Sequence, residues 1–306
     1  MKTFPPFEEL RELIQLAKRE DLGSGDVTSR LLVEENLIGV GTLIQKEVGI
    51  PCGLPMVEMI CRTYDERLRV EQIPGFHMEI IEGRFSDART TPLLRIRGPM
   101  RSLLSAERVI LNFLQHLSGV ATQTHRFVKR VAGTGAKIFD TRKTLPGFRL
   151  LEKYAVRAGG GHNHRMGLHD AVLIKDNHLA NLSLKEMAGY VAKVVGQSRA
   201  EEAGRMVEVE VENLEQVREA LKVEGIDVIL LDNMDCPSME AAVAMRRLSV
   251  EGAAVAGRKS KPLFEASGGI TLDTVRTVAL TGVERIAVGA ITHSATALDI
   301  SLEIER

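Results

Sequence analysis

The sequence has no surplus of either charge: 40 lysines and arginines stand against 41 aspartates and glutamates among 306 residues. No global positive field exists to hold nucleic acid, so any preference for anions must be local. Cysteine is scarce. Cys52, Cys61 and Cys236 are odd in number and form no CxxC pair. That argues against a disulfide framework or a cysteine-rich zinc site and for idle thiols in a reducing cytosol. Long apolar runs are missing too. The start, MKTFPPFEELRELIQLAKRED, carries acids throughout, with Phe7, Leu10, Leu13 and Ile14 at helical spacing. It has neither the basic opening nor the apolar stretch of a signal peptide, and no segment reaches the roughly 18 apolar residues of a membrane helix. These absences predict a cytoplasmic protein that engages neither membrane nor nucleic acid.

What is present is core. At 44% hydrophobic residues the chain can form one large domain or two smaller ones. Up to about residue 100, the runs GVGTLIQKEVGI, RLRVEQI and TPLLRIRG alternate partially between Gly, Pro and Asp turns, which predicts an antiparallel sheet with one solvated face. SLLSAERVILNFLQHLSGVATQTHRFVKRV then predicts a long helix, with Ser105 as N-cap and Glu107 in its first turn. From about residue 137 six short strands are predicted: KIFDTRK, AVLIKDNH, MVEVEVE, DVILLDNM, PLFEASGG and RIAVGAITH. Helical segments such as LEQVREALKVEG lie between them, so the strands form parallel βαβ units. Nearly every strand ends in polar, charged or glycine residues, as at the mouth of an α/β barrel.

Those strand ends define the candidate chemistry. Arg142, Lys143, His164, Arg165 and Lys175 converge on one rim, where guanidinium groups can grip carboxylates and phosphates bidentately. In AGGGHNHRMG, residues 158–167, the glycines let the backbone turn Asn163, His164 and Arg165 inward. An HxH metal site at His162 and His164 is disfavoured by the adjacent Arg165 charge; His116 and His125, within the long helix, read as structural. EVEVEN places Glu208, Glu210 and Glu212 on one strand face, and ILLDN ends in Asp232. These carboxylates suit either buried ion pairs or ribose hydroxyls and Mg²⁺. EASGGIT and AVGAITHS offer small residues and free amides as phosphate cradles. Together they describe a site for a phosphorylated sugar and a multiply charged organic anion.

The stretch DTRKTLPGFRLLEKYAVRAGGGHNHRMGLHDAVLIKDNH closely resembles the signature of the quinolinate phosphoribosyltransferases. The likeness continues through SAERVILNFLQHLSGVAT, EVEVENLEQ, ILLDNM, EASGGITLDTV and AVGAITHSATALDISLEI, and is weakest over residues 50–95. It implies an α/β fold of two parts. An N-terminal α/β sandwich domain covers residues 1–113 and is rejoined by the C-terminal segment 292–306. An incomplete parallel α/β barrel of the type II phosphoribosyltransferase kind covers 114–291 and holds the active site. The implied activity is that of a pentosyltransferase of NAD biosynthesis: quinolinate and phosphoribosyl pyrophosphate give nicotinate mononucleotide, pyrophosphate and CO₂, with Mg²⁺ as cofactor.

Position by position, the resemblance makes Arg142, His164, Arg165 and Lys175 quinolinate-binding cations and puts Lys143 near the phosphoribosyl pyrophosphate, with Thr141 beside them in the substrate site. Glu210 and Asp232 become the ribose and metal carboxylates, meeting Mg²⁺ through water and pyrophosphate. Ser267, Gly268, Gly269, Gly289 and Ala290 become the phosphate loops. Arg108 corresponds to an arginine lent across a homodimer, with higher assembly left open. Lys143, Lys175, Glu210 and Asp232 form the implied catalytic set; the proton donor after decarboxylation stays open between Lys175 and water. Two stretches depart from the family: GRKSKP at 257–262 reads as an extended loop before a phosphate strand, and KEVGIPCGLP differs in wording. Three rival readings are a molybdenum-transport-associated homologue of the same fold, a Schiff-base aldolase using Lys175, and a non-catalytic anion-binding protein.

Overall fold

The computed structural model describes residues 3–74, 77–88, 90–254 and 261–305. Positions 257–260 of the GRKSKP stretch lie outside them. In chain order the elements are α1 (Phe7–Leu22), α2 (Val27–Leu32), β1 (Ile38–Gln45), α3 (Leu54–Tyr64), β2 (Arg69–Glu71), α4 (Met78–Ile81), β3 (Thr91–Pro99) and α5 (Met100–Val131). Then follow β4 (Lys137–Phe139), α6 (Arg149–Ala158), β5 (Val172–Ile174), α7 (Asp176–Leu179), α8 (Leu184–Glu201), β6 (Val207–Val211) and α9 (Leu214–Ala220). The chain closes with β7 (Val228–Asp232), α10 (Cys236–Ala254), β8 (Leu263–Ser267), α11 (Val275–Leu280), β9 (Arg285–Ala287), α12 (Ala290–His293) and β10 (Ile300–Ile304). Two compact units result. One takes in the chain up to His125, Thr144–Gly160 and Ile291 onward; the other takes in Arg126–Lys143 and Gly161–Ala290.

In the first unit, α1 buries Leu10 and Ile14, one turn apart, and carries Glu8 and Glu9 in its first turn, where the helix dipole favours acids. Its sheet is antiparallel, ordered β10-β1-β3-β2, so the C-terminal strand returns to pair with β1. Buried and more exposed residues alternate along β1, the period of a half-solvated sheet. Ser105 is not an N-cap. β3 runs into α5 without a loop, so the helix begins at Met100 and Ser105 falls within it, its hydroxyl donating to Asp26 at 3.1 Å. Asp26 itself caps α2 by accepting the Ser29 amide at 2.9 Å. Both helix histidines have structural partners: His116 lies 2.8 Å from the buried Glu152 carboxylate, and His125 stacks on Phe85. All three cysteines are free, and burial pushes the Cys61 thiol up to about 12.

In the second unit all six predicted strands form, in one parallel sheet ordered β4-β9-β8-β7-β6-β5. From β5 to β9 each strand lies beside the next in sequence, so successive right-handed crossovers place their helices on the same face. A sheet wound one way curls. The first strand, β4, then lies beside the last, β9, and among the described residues β4 and β5 remain unpaired with each other. That is a barrel left open at one seam.

One close approach in the first unit is testable. A Cβ on Gly119, within α5, would lie 2.1 Å from the Thr296 carbonyl oxygen, whereas one on Gly189, within α8, would meet nothing within 4 Å. Gly119→Ala is expected to destabilise by about 1–3 kcal/mol through forced backbone movement. Gly189→Ala should be neutral or stabilising by about 0.5–1 kcal/mol through helix propensity. Calorimetric melting of the two variants checks both signs.

Candidate active site

A strand points every second side chain to the same face. On β6, β7 and β8 this pairs Glu208 with Glu210, Leu230 with Asp232 and Glu265 with Ser267. The outer members of these pairs line a cavity of about 480 Å³ at the carboxyl ends of the strands. Its wall also includes Thr141, Arg142 and Lys143 after β4, His164 and Arg165 from the following loop, and Lys175 after β5. Gly268 and Gly269 complete it beyond β8. Gly289 and Ala290 are absent from the lining, and Arg108 is exposed on α5 in the other unit.

The strand order sorts these charges. Arg142, Lys143, His164, Arg165 and Lys175 all follow β4 or flank β5, the two strands at the open seam. Glu210, Asp232 and the Ser267–Gly269 loop end β6, β7 and β8, which are mutual neighbours. Arg165 is buried, donates to the Ala171 carbonyl at 3.2 Å, and has its pKa lowered by burial and by the nearby Arg142. A guanidinium stays charged even so, and the two like charges stand close enough to favour an anion between them. Lys175 is not lodged among apolar groups; its Nζ lies 3.2 Å from Glu210.

Gly268 has φ +96, and a Cβ there would lie 2.1 Å from Asn233 Oδ1. Asn233 is itself left-handed at φ 53; its amide donates to the Ser267 carbonyl at 2.9 Å and its side chain to Asp232 at 2.8 Å. It holds the carboxylate and the glycine turn together. Sequence reasoning stopped at Asp232 and missed it; the Asn that follows in LLDN, a residue tolerant of left-handed backbone, was the available signal.

Of the inner members, Glu208 takes the buried ion-pair alternative that the sequence offered, and Glu265 was missed. Glu208 and Glu265 are both buried, Glu265 in the cavity floor, and His164 Nε2 reaches between them, 2.8 Å from Glu208 and 3.4 Å from Glu265. Arg285 meets Glu265 at 2.5 Å and lies over the Phe139 ring. Burial alone would lower the His164 pKa, but hydrogen bonds and charge from both glutamates outweigh it and raise it to about 9. The Glu208 carboxyl is pushed up by burial and by Glu265, whereas His164 and Arg285 hold Glu265 low against its burial. The Arg165 amide, 2.8 Å from His164 Nδ1, suits a neutral ring. A protonated ring gives up that bond, and the hydrogen bonds and charge of the two glutamates outweigh its loss. With neither His164 nor Glu208 protonated, two carboxylates and one guanidinium would leave net negative charge sealed in the barrel.

Among the described residues, His164, Glu208 and Glu265 are also the one trio whose ligand atoms lie within 4.8 Å of one another, and all three are buried. A divalent ion there would have to displace the His164 proton and sit beside Arg285, so the trio is an ion-pair layer rather than a metal centre. His162 takes no part in it and stacks on Phe139. The hard carboxylate oxygens of Glu210 and Asp232, both open to the cavity, suit a Mg²⁺ ion shared with phosphate.

The chain matches two family models: the quinolinate phosphoribosyl transferase N-terminal domain over residues 26–118 and the C-terminal domain over residues 120–303. It is 40% identical over 299 residues to the nicotinate-nucleotide pyrophosphorylase [carboxylating] of Mycobacterium leprae, covering 97% of this chain and 98% of that one. A probable nicotinate-nucleotide pyrophosphorylase [carboxylating] of Bacillus subtilis is 37% identical over 300 residues, 97% of this chain and 93% of the relative. The solved structure of NadC from Streptococcus pyogenes superposes with a TM-score of 0.83 at 36% identity, over 99% of both chains.

The buried imidazolium predicts a pH dependence. The folded pKa of His164, about 9, lies above its ordinary 6.5. Its contribution to stability is therefore complete below pH 6.5 and lost as pH rises through about 9. Unfolding free energy measured across that window should fall more steeply for the native chain than for His164→Gln. Equal slopes would show that His164 is not charged.

Proposed function

The chain belongs to the quinolinate phosphoribosyltransferase family, and from that membership we propose that it transfers the phosphoribosyl group of phosphoribosyl pyrophosphate to quinolinate with loss of CO₂. The products are nicotinate mononucleotide, pyrophosphate and CO₂. One observation supports this reading above the rest: a single cavity holds five cationic side chains at the barrel seam and, on neighbouring strands, Glu210 and Asp232 with a glycine turn above the ion-paired Glu265. Quinolinate is a dianion and phosphoribosyl pyrophosphate carries several negative charges, so the two meet only where cations intervene.

In this reading Arg142 and Arg165 bind the two quinolinate carboxylates and orient the ring, and Lys175 is held at the rim by Glu210. His164, whose ring nitrogens meet the two glutamates and the Arg165 amide, holds Arg165 beneath those carboxylates. Thr141 and Lys143 lie on the phosphoribosyl pyrophosphate side. Asp232 faces the ribose, and Ser267, Gly268 and Gly269 present backbone amides to phosphate. Gly289 and Ala290 follow β9, the strand beside β8, and lie outside the cavity lining. The ring nitrogen bonds to the sugar C1 as the C1–pyrophosphate bond breaks. The positive nitrogen then draws in the electron pair released when the adjacent carboxylate leaves as CO₂, and one proton replaces it on the ring carbon. Mg²⁺, held by Glu210 and Asp232 together with pyrophosphate, would neutralise the departing charge. Arg108, exposed on its helix, would reach the site of a second copy in a two-fold dimer, because each subunit then presents the same surfaces to the other. A Schiff-base lysine needs a desolvated or base-activated amine, and the Lys175–Glu210 ion pair argues against that chemistry.

A coupled assay for CO₂ and nicotinate mononucleotide tests the reading, with nicotinate as the competing acceptor. Nicotinate lacks one carboxylate, and losing one charge-assisted contact should cost about 10- to 100-fold in kcat/KM. Equal use of both acids would sink the assignment. Chelation of divalent cations should stop turnover.

The shared site has its own test. Arg108→Ala and Lys175→Ala should each be nearly inactive alone. Random subunit exchange makes about half of the dimers mixed, each with one working site of two, so about a quarter of native activity should return. Demonstrated exchange with activity still at baseline would refute a site shared between subunits.

A further inference from the structure

Asp140 directly follows β4, is fully buried, and does not line the cavity. Its carboxylate reaches the glycine-rich loop instead. Oδ1 accepts the backbone N–H of His164 at 2.8 Å, and Oδ2 accepts the Asn163 side-chain amide at 2.5 Å. Backbone contacts run alongside: the Asp140 amide donates to the His162 carbonyl at 3.0 Å, and the His162 amide donates to the Ile138 carbonyl at 2.8 Å. Phe139 and His162 thereby form a parallel bridge, while the Phe139 carbonyl accepts the Val288 amide at 2.9 Å. The loop occupies the open side of β4, where the next strand of a closed barrel would lie.

This placement matters because each partner is joined to a cation. Asp140 is followed by Thr141, Arg142 and Lys143; Asn163 and His164 are followed by Arg165. Burial and the Arg142 charge both lower the Arg165 pKa, so the two segments bring like charges near each other. Beyond the Phe139–His162 bridge, that like charge works to spread them. One buried carboxylate, bonded to the second segment at two points, opposes that spreading.

We propose that Asp140, with Asn163 as its side-chain partner, is a positioning residue that fixes the spacing of the two cation-bearing segments that receive the quinolinate carboxylates. The clamp rests on geometry alone; its consequence for quinolinate rests on the function proposed above. Most of the phosphate side, Asp232 and the Ser267–Gly269 loop, is built from other elements. Of its residues Thr141 and Lys143 share the Asp140 segment, and there the Lys143 amide donates to the Thr141 hydroxyl at 3.0 Å. The effect of losing the clamp should therefore be one-sided.

Three variants decide it: Asp140→Ala, Asn163→Ala, and the exchange Asp140→Asn with Asn163→Asp. The exchange keeps both bonds with donor and acceptor reversed, because an amide oxygen at 140 can still accept the His164 N–H while its NH₂ donates to the new carboxylate. In Asp140→Ala, which removes both bonds, the quinolinate KM should rise about 10-fold, with the phosphoribosyl pyrophosphate KM within about twofold of native. In Asn163→Ala it should rise about threefold with the same one-sidedness, and the exchange should return it to within about threefold of native. A structural role alone would lower the melting temperature without separating the two KM values. The proposal is overturned by parallel changes in both, by an unchanged quinolinate KM in Asn163→Ala, or by a folded exchange variant without rescue. If the exchange variant does not melt cooperatively, Asn163→Ala decides. Amide hydrogen exchange on the ligand-free protein separates the clamp from the function. The His164 amide, left without its acceptor, should lose protection in Asp140→Ala even if the native chain releases no CO₂ from quinolinate, an outcome that would sink the function alone. Unchanged protection would sink the clamp.

Discussion

Two carboxylates, Glu208 and Glu265, are sealed inside the parallel sheet with no solvent to answer their charge. Everything at the floor of the cavity follows from how that charge is met. His164 descends between them from the glycine-rich loop, and Arg285 rises from the start of β9, giving two negative and two positive groups in one layer. Such a layer is poor evidence for stability, since an aliphatic core of equal volume would do as well or better. What it provides is a fixed position for the His164 ring, and with it for Arg165, directly below the rim where the other cations stand.

The first unit solves the same problem with a different partner. Gly53 precedes α3 as its N-cap and has no side chain to serve there, and the half-buried Glu82 carboxylate accepts the amides of Gly53 and Leu54 at 2.8 and 3.0 Å and the Tyr154 hydroxyl at 2.8 Å. Burial pushes the Glu82 carboxyl up, yet three donors keep it satisfied. In both units an acid takes the place of something the local chain lacks. In one it is a helix cap; in the other it is the missing strand at the barrel seam, where Asp140 secures a loop.

Much of this was legible beforehand. The six parallel strands appear where short apolar runs met polar ends, and the antiparallel strands where alternation met turns, because periodicity and turn chemistry are local properties. The long helix was legible in extent but not in origin: Ser105 is a good cap residue, yet β3 feeds α5 directly and leaves no helix end there to cap. Arg142, Lys143, His164, Arg165, Lys175, Glu210, Asp232 and Ser267–Gly269 do line one cavity. Strand-end residues of a curled parallel sheet have nowhere else to converge.

By itself, then, the sequence determined which residues stand at strand ends, what charge they bring, and which backbone turns only glycine can make. Those depend on neighbours a few positions away. Only the tertiary structure decided which charges meet. That His164 lies between Glu208 and Glu265, that Asn233 backs Gly268, and that Asp140 binds the loop beside β4 all depend on the order and curvature of strands far apart in the chain. A period of two says that Glu208 and Glu210 share a face; only the closing curve of the sheet makes one of them solvent-facing machinery and the other buried counter-charge.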